Sequence, residues 1–212
     1  PADKLIVDCI RANPGDVTVV CLGPYTNLAR AFRRDPYVTE QVDRIVMMGG
    51  SIRAGGNITQ AAEFNCYFDP QSAQEVFCSR TTKTLVPLDV TREVKFGLDL
   101  IDKLPERYCR AGEFLRQILP YAFRAYRQKL GQEDINLNDA VGILAMLEPE
   151  LFEFEPMAGQ VETEGQLTRG VTVFDRRMAP EWRNNMEVAT SLKHEQAEAA
   201  IVKSLCLAGN AT

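Results

Sequence analysis

Asn57, Glu63, Asn65 and Asp69 stand close together behind the apolar run Arg44-Ile45-Val46-Met47-Met48 and the glycine pair Gly49-Gly50. An amide offers both donors and an acceptor, and a carboxylate accepts several hydrogen bonds, so this set of side chains suits the hydroxyls of a polyhydroxylated ligand. The apolar run reads as a buried strand that the glycines stop. In open α/β sheets ligands bind beyond the carboxyl ends of the strands, and the 51–65 segment leaves such an end. A polar surface loop whose glycines serve turn geometry accounts for the same residues, and composition alone leaves both readings standing.

The elements that must position these groups follow from periodicity. Leu5, Ile6, Cys9 and Ile10 give a helix over 2–12 that Asn13-Pro14-Gly15 ends. The β-branched stretch 17–22 is expected to be a strand, and a helix to begin at Thr26, whose hydroxyl is a natural N-cap. The cycle repeats with a strand at 44–48, a helix opened by the cap Asp69 and Pro70, and a third strand from Lys83 to Leu88. Strands alternating with helices at this spacing predict parallel βαβ units, an α/β fold with a mainly parallel sheet and flanking helices. Beyond Asp99 the pattern turns helical, with an amphipathic stretch over 111–130 and a helix from Asp139 to Leu147. Segments 161–167 and 171–174 read as a small antiparallel hairpin near the C-terminus, 187–192 as an added edge strand, and 194–207 as a final helix.

The 212 residues, 45% of them hydrophobic and 25% charged, can bury one sizeable core, so residues 1–212 are expected to form a single domain. A formal charge of −5 and a pI near 5.1 leave no basic block for nucleic acid or anionic lipid. Arg30, Arg33 and Arg34 read as a solvated helix face. No apolar run reaches the roughly 18 residues of a membrane helix. The six cysteines contain no CxxC pair, which suits reduced core thiols and a cytoplasmic protein.

Several motifs share one order with a known family. Leu22-Gly23-Pro24-Tyr25-Thr26-Asn27-Leu28-Ala29 comes first, followed by Arg44 to Gly50, Asn57-Ile58-Thr59, Ala62-Glu63-Phe64-Asn65 and Asp69-Pro70. Leu88-Asp89-Val90-Thr91, Leu167-Thr168-Arg169-Gly170 and the stretch 185–190 complete the series. The chain resembles the inosine-uridine preferring nucleoside hydrolases over essentially its whole length, and the joint order is more specific than any one motif.

The resemblance implies a Rossmann-like nucleoside hydrolase fold that hydrolyses the N-glycosidic bond of a small-molecule ribonucleoside at a Ca²⁺ site. It also implies a homo-oligomer. By position in the motifs, Asn57, Glu63 and Asn65 would bind ribose hydroxyls and Met48 would pack against the sugar. The Leu22 carbonyl and the Asp139 carboxylate would be calcium ligands, as a hard cation with oxygen preference requires. Without the resemblance, Asp139 is a first-turn acid favoured by its helix dipole. Tyr126 would sit near the base, as a stacking ring or hydroxyl donor; a core position beside Phe123 explains it equally well.

Two departures limit what the resemblance carries. The family's aspartate-rich strand-to-helix loop, which supplies most metal carboxylates and the base that activates water, is not found from Pro1 onward. The expectation is that these residues are the larger C-terminal part of the fold and that an N-terminal segment completes the site. At the second departure, Asn138 stands where many members carry the histidine that protonates the departing base. Its amide can hydrogen-bond the base but cannot act as an acid, and general acid catalysis is typically worth about 10² to 10⁴ in rate. A non-catalytic ribose or nucleoside binding relative is therefore the alternative. A dinucleotide-binding domain is disfavoured because Gly49-Gly50-Ser51-Ile52-Arg53 lacks the G-x-G-x-x-G spacing. The lone His194 reads as a surface or capping residue, and Trp182 as a candidate oligomer contact.

Overall fold

The computed structural model describes residues 1–104 and 110–210. Its strands are β1 (Thr18–Cys21), β2 (Arg44–Met48), β3 (Lys83–Val86), β4 (Phe152–Met157), β5 (Gly159–Val161), β6 (Thr172–Phe174) and β7 (Met186–Leu192). The helices are α1 (Ala2–Ala12), α2 (Thr26–Arg34), α3 (Val38–Gln41), α4 (Phe64–Phe68) and α5 (Pro70–Cys78), followed by α6 (Leu88–Thr91), α7 (Asp99–Lys103), α8 (Arg110–Leu130), α9 (Asn138–Leu147) and α10 (His194–Asn210). The main sheet has the order β1-β2-β3-β7-β4, with β1, β2, β3 and β7 parallel and β4 antiparallel to β7. Strands β5 and β6 form a separate antiparallel pair.

The continuous apolar character of β2 has a direct cause. Ile45 and Met47 point into a core shared with Val7 and Ile10 of α1, Leu28 and Phe32 of α2, and Val76 and Phe77 of α5. Val46, on the other face, joins Val86, Phe123 of α8, Val141 and Leu144 of α9, and Ile201 of α10. Successive strand side chains alternate between faces, so a strand covered by helices on both sides must be apolar at every position. Register then sets up the site. Cys21 pairs with Met47 and Met48 with Val86, so β1, β2 and β3 end side by side and the segments that leave them emerge as neighbours.

Several expectations change. Thr26 does not cap α2; its hydroxyl donates instead to Asp69 Oδ2 at 2.6 Å. Asp69 itself caps α5, accepting from Ser72 N at 3.1 Å, so this carboxylate is structural. β3 stops at Val86 because Pro87 begins the turn into α6. β7 is an interior strand between β3 and β4, and the edge belongs to Phe152–Met157, whose Phe152 is buried while Glu153 and Glu155 face outward. An antiparallel pair does form here, but its first arm is Gly159–Val161 rather than 161–167, with Val161 opposite Thr172, and residues 162–171 make the connection. Among the described cysteines, Cys9, Cys21, Cys66, Cys78 and Cys206 are free, but only Cys66 is a buried core thiol, since Cys9 and Cys78 are exposed and Cys21 and Cys206 are partly buried; Cys109 lies outside the described residues. Arg33 and Arg34 lie on an exposed face, paired with Glu75 and Asp3. No described helix is long and apolar enough to cross a membrane.

Candidate active site

Beyond the ends of β1 and β2, a polar cluster is built around Glu63. Its carboxylate Oε2 accepts from the backbone N–H of Gly50 at 3.0 Å, Asn65 at 2.9 Å and Cys66 at 3.2 Å. The last two are first-turn N–H groups of α4 that have no intrahelical acceptor, so Glu63 is that helix's N-cap. All three bonds fall on one oxygen, and the second takes none of them. Glu63 is 2% exposed. Burial raises its pKa, the three N–H bonds pull it down, and the nearby Asp139 charge raises it further.

Asn65 is buried beside it and bridges the strand ends. Its Nδ2 donates to the Met48 carbonyl at 3.0 Å and reaches the Leu22 carbonyl at 3.5 Å. The Met48 carbonyl also accepts the Tyr25 hydroxyl at 3.0 Å. Gly49 lies so close to that hydroxyl that a Cβ there would collide with it. α9 closes the floor: a Cβ on Gly142, one turn beyond Asp139, would stand 3.0 Å from Met48 Cβ and 3.3 Å from a Leu22 methyl. Asp139 lies in the first turn of α9, where the helix dipole favours an acid, and it makes no hydrogen bond or ion pair among the described residues. Burial pushes its pKa up.

Asn57, Tyr126 and Asn138 line an adjoining cleft of about 390 Å³, together with Leu88, Arg92 and Lys95. Asn57 Oδ1 accepts from Phe64 N at 2.8 Å, which fixes the side chain beside α4. Tyr126 packs against the α8 core and donates to the Asn136 carbonyl at 3.4 Å, so the ring serves core and cleft together. Asn138 Oδ1 is buried without a hydrogen-bond partner. The structure thus sets Leu22, Met48, Glu63, Asn65 and Asp139 in an inner cluster and Asn57, Tyr126 and Asn138 in the cleft beside it. The Asn57–Phe64 bond and the adjacency of Asn138 and Asp139 join the two. His194 lies apart, exposed at the start of α10, and Trp182 sits half-buried in a loop where Asp175 accepts from its backbone N–H at 3.1 Å.

Residues outside the sequence expectation hold the 51–56 loop in place. Asp89 Oδ2 accepts from Ile52 N at 2.7 Å and Ser51 Oγ at 3.2 Å, and Oδ1 from Arg53 N at 2.7 Å and Ala54 N at 3.0 Å. Arg92, one turn on, donates to the carbonyls of Ala54 at 2.7 Å and Gly56 at 2.6 Å. Thr172 exchanges hydrogen bonds with Ser51 from the far side. The spacing Asp-x-x-Arg on a short helix following a strand was the available signal.

The family model described as inosine-uridine preferring nucleoside hydrolase matches residues 1–199. The chain belongs to this family. Among related nucleoside hydrolases, the non-specific ribonucleoside hydrolase RihC of Escherichia coli is 35% identical over 209 residues, covering 98% of this chain and 66% of that protein. A probable uridine nucleosidase 1 of Oryza sativa is 34% identical over 175 residues, covering 82% of this chain and 54% of that protein. The solved structure of a purine-preferring ribonucleoside hydrolase from Gardnerella vaginalis has a TM-score of 0.90 at 25% identity, covering 98% of this chain and 66% of that one. The chain therefore spans between about half and two thirds of the length of these nucleoside hydrolases.

Proposed function

We propose that the site binds a ribonucleoside and hydrolyses its N-glycosidic bond to ribose and free base, in a Ca²⁺-dependent reaction. The observation that carries this reading is the Glu63–Asn65 cluster locked to the ends of β1 and β2, within a chain of the nucleoside hydrolase family.

Cleavage of such a bond passes through an oxocarbenium-like sugar, so the protein must hold the ribose rigidly while charge develops at its anomeric carbon. Glu63 and Asn65 are fixed by hydrogen bonds to backbone and are therefore pre-organised for the sugar hydroxyls. Asn57 uses Oδ1 on Phe64 and keeps its amide N–H groups for the ligand. Met48, buried beneath Asn65, supplies an apolar floor. Tyr126, with Leu88, offers apolar surface to a planar base, and Asn138 offers an acceptor for a base N–H.

The donor chemistry present suits part of a calcium shell. The Asp139 carboxylate has no partner among the described residues, and the Leu22 carbonyl is engaged only at 3.5 Å. Both are oxygen ligands of the kind Ca²⁺ takes, and the ion needs six to eight. No group of three acidic, histidine or cysteine side chains that could hold a metal alone occurs among the described residues. Further ligands from the whole protein are part of this proposal. When bound, the ion supplies positive charge that lowers the pKa of a coordinated water and orients sugar hydroxyls. The free thiols suit a reducing cytoplasm, and a homo-oligomer remains part of the same proposal.

The test is ribose release from inosine, uridine and cytidine by the whole protein, with calcium and after chelation. Stoichiometric ribose and free base, lost on chelation, is the expected result. No turnover on any of them, with ribose still bound, would replace this reading by the non-catalytic binding relative that Asn138 suggests.

A further inference from the structure

The cleft beside the ribose cluster carries positive charge that the ribose reading leaves unused. Among the described residues its lining includes the two cations Arg92 and Lys95 and no carboxylate. Arg92 is committed, because its guanidinium holds the Ala54 and Gly56 carbonyls. Lys95 is exposed and makes no hydrogen bond or ion pair among the described residues.

Its backbone, by contrast, is tightly held. Asn136 Nδ2 donates to the Arg92 carbonyl at 3.3 Å and the Val94 carbonyl at 2.8 Å. Phe96 and Ile135 exchange backbone hydrogen bonds at 2.9 and 3.0 Å. Val94 and Phe96 are fully or almost fully buried, which anchors Lys95 on both sides and leaves its side chain as the outward one of the three. A free ammonium on a pinned backbone, facing a cleft without an acid, is placed to meet electron-rich atoms of a ligand. Asn138, whose buried Oδ1 lacks a partner, cannot give up a proton as an acid.

We propose that Lys95 is the leaving-group catalyst of this site, donating from Nζ to the departing nucleobase. This rests on the N-glycosidic reading given above. As the bond between the anomeric carbon and the base nitrogen breaks, the electron pair passes to the base ring. The Lys95 ammonium stabilises that charge and delivers a proton to the base. Water adds to the anomeric carbon and loses a proton to solvent, from which the exposed lysine is reprotonated. One water is consumed, and ribose and neutral base leave. Asn138 Oδ1 accepts from a base N–H and fixes the ring's orientation.

The experiment compares two leaving groups in the whole protein: uridine, whose base leaves poorly, and 4-nitrophenyl β-riboside, whose phenolate departs without help. Lys95→Met is expected to lower kcat on uridine by about 10²-fold or more, as loss of a general acid does. Its rate on the nitrophenyl riboside should stay within about threefold, since no proton is needed there. Lys95→Arg keeps the positive charge but holds its proton too tightly to deliver it, so it should recover only the charge-stabilising part of the uridine rate and stay below the unsubstituted protein. An equal fall on both substrates would show a role in sugar binding or structure and overturn the proposal, as would unchanged kcat on uridine. Turnover of neither substrate by the unsubstituted protein would instead remove the N-glycosidic reading, and the role of Lys95 with it.

Discussion

Glu63 accepts a hydrogen bond from the backbone N–H of Gly50 at 3.0 Å, so the glycine pair that ends β2 and the acid that caps α4 form one unit. The same oxygen takes the N–H groups of Asn65 and Cys66. A single carboxylate therefore fixes the strand end, the start of the helix and the adjacent Asn65 in one geometry.

Glu63→Ala leaves three buried N–H donors without their acceptor. Hydrogen bonds to charged groups and unsatisfied buried donors are each worth about 1–3 kcal/mol, and partial rehydration limits the sum, so a loss of about 2–4 kcal/mol is expected. Urea unfolding would read it as a lower midpoint at unchanged slope. Glu63→Gln keeps an acceptor oxygen and should unfold later than the alanine variant while still losing activity.

Asp89 and Arg92 hold the 51–56 loop next to Asn57, so on the proposed reading their loss should weaken ligand binding. Asp89→Ala removes the acceptor of three successive backbone N–H groups. KM for a nucleoside should rise by about tenfold or more, one hydrogen-bond increment, with a smaller change in kcat. Hydrogen exchange at residues 52–54 should accelerate in the same variant. Unchanged exchange there would show that the loop is held by Thr172 and Arg92 alone.

What could be read in the residues, and what could not, separates along physical lines. β2 and its glycine stop were legible because a strand covered on both faces must be apolar throughout. Glu63 and Asn65 were legible as a polar group behind a strand end, although the role of Glu63 as cap of α4 was not, since five residues are too few to show a helical period. β7 looked like an edge because its composition does not encode which strand lies beside it; the true edge, β4, was passed over despite alternating Phe152 and Phe154 with Glu153 and Glu155. Thr26 reads as the cap of α2 but is not, because a tertiary bond draws its hydroxyl to Asp69. The clamp by Asp89 stayed hidden for the same reason: its partners lie more than thirty residues back.

Lys83 gives stability a distinct pH dependence. It is buried at the start of β3, with Nζ donating to the carbonyls of Ser79 at 2.5 Å and Thr81 at 3.0 Å, and burial lowers its pKa to about 8. An unfolded lysine holds its proton to about pH 10.4, so between these values the unfolded chain binds more protons than the folded one. Stability should therefore rise with pH through the window from about 8 to 10.4, by on the order of 2–3 kcal/mol from this group. The cost of burying the charge is fully present below pH 8. Chemical denaturation across that range checks this, and Lys83→Met should flatten the rise.

The central claim is that the Glu63–Asn65 cluster holds the ribose of a nucleoside while its base is released. Its most direct test is kcat/KM for inosine and uridine in calcium, measured for the whole protein and for Asn65→Ala under conditions where both are folded. The account predicts measurable turnover that falls by about 10²-fold or more in the variant, the worth of about two hydrogen bonds. Equal turnover by the two proteins would contradict it.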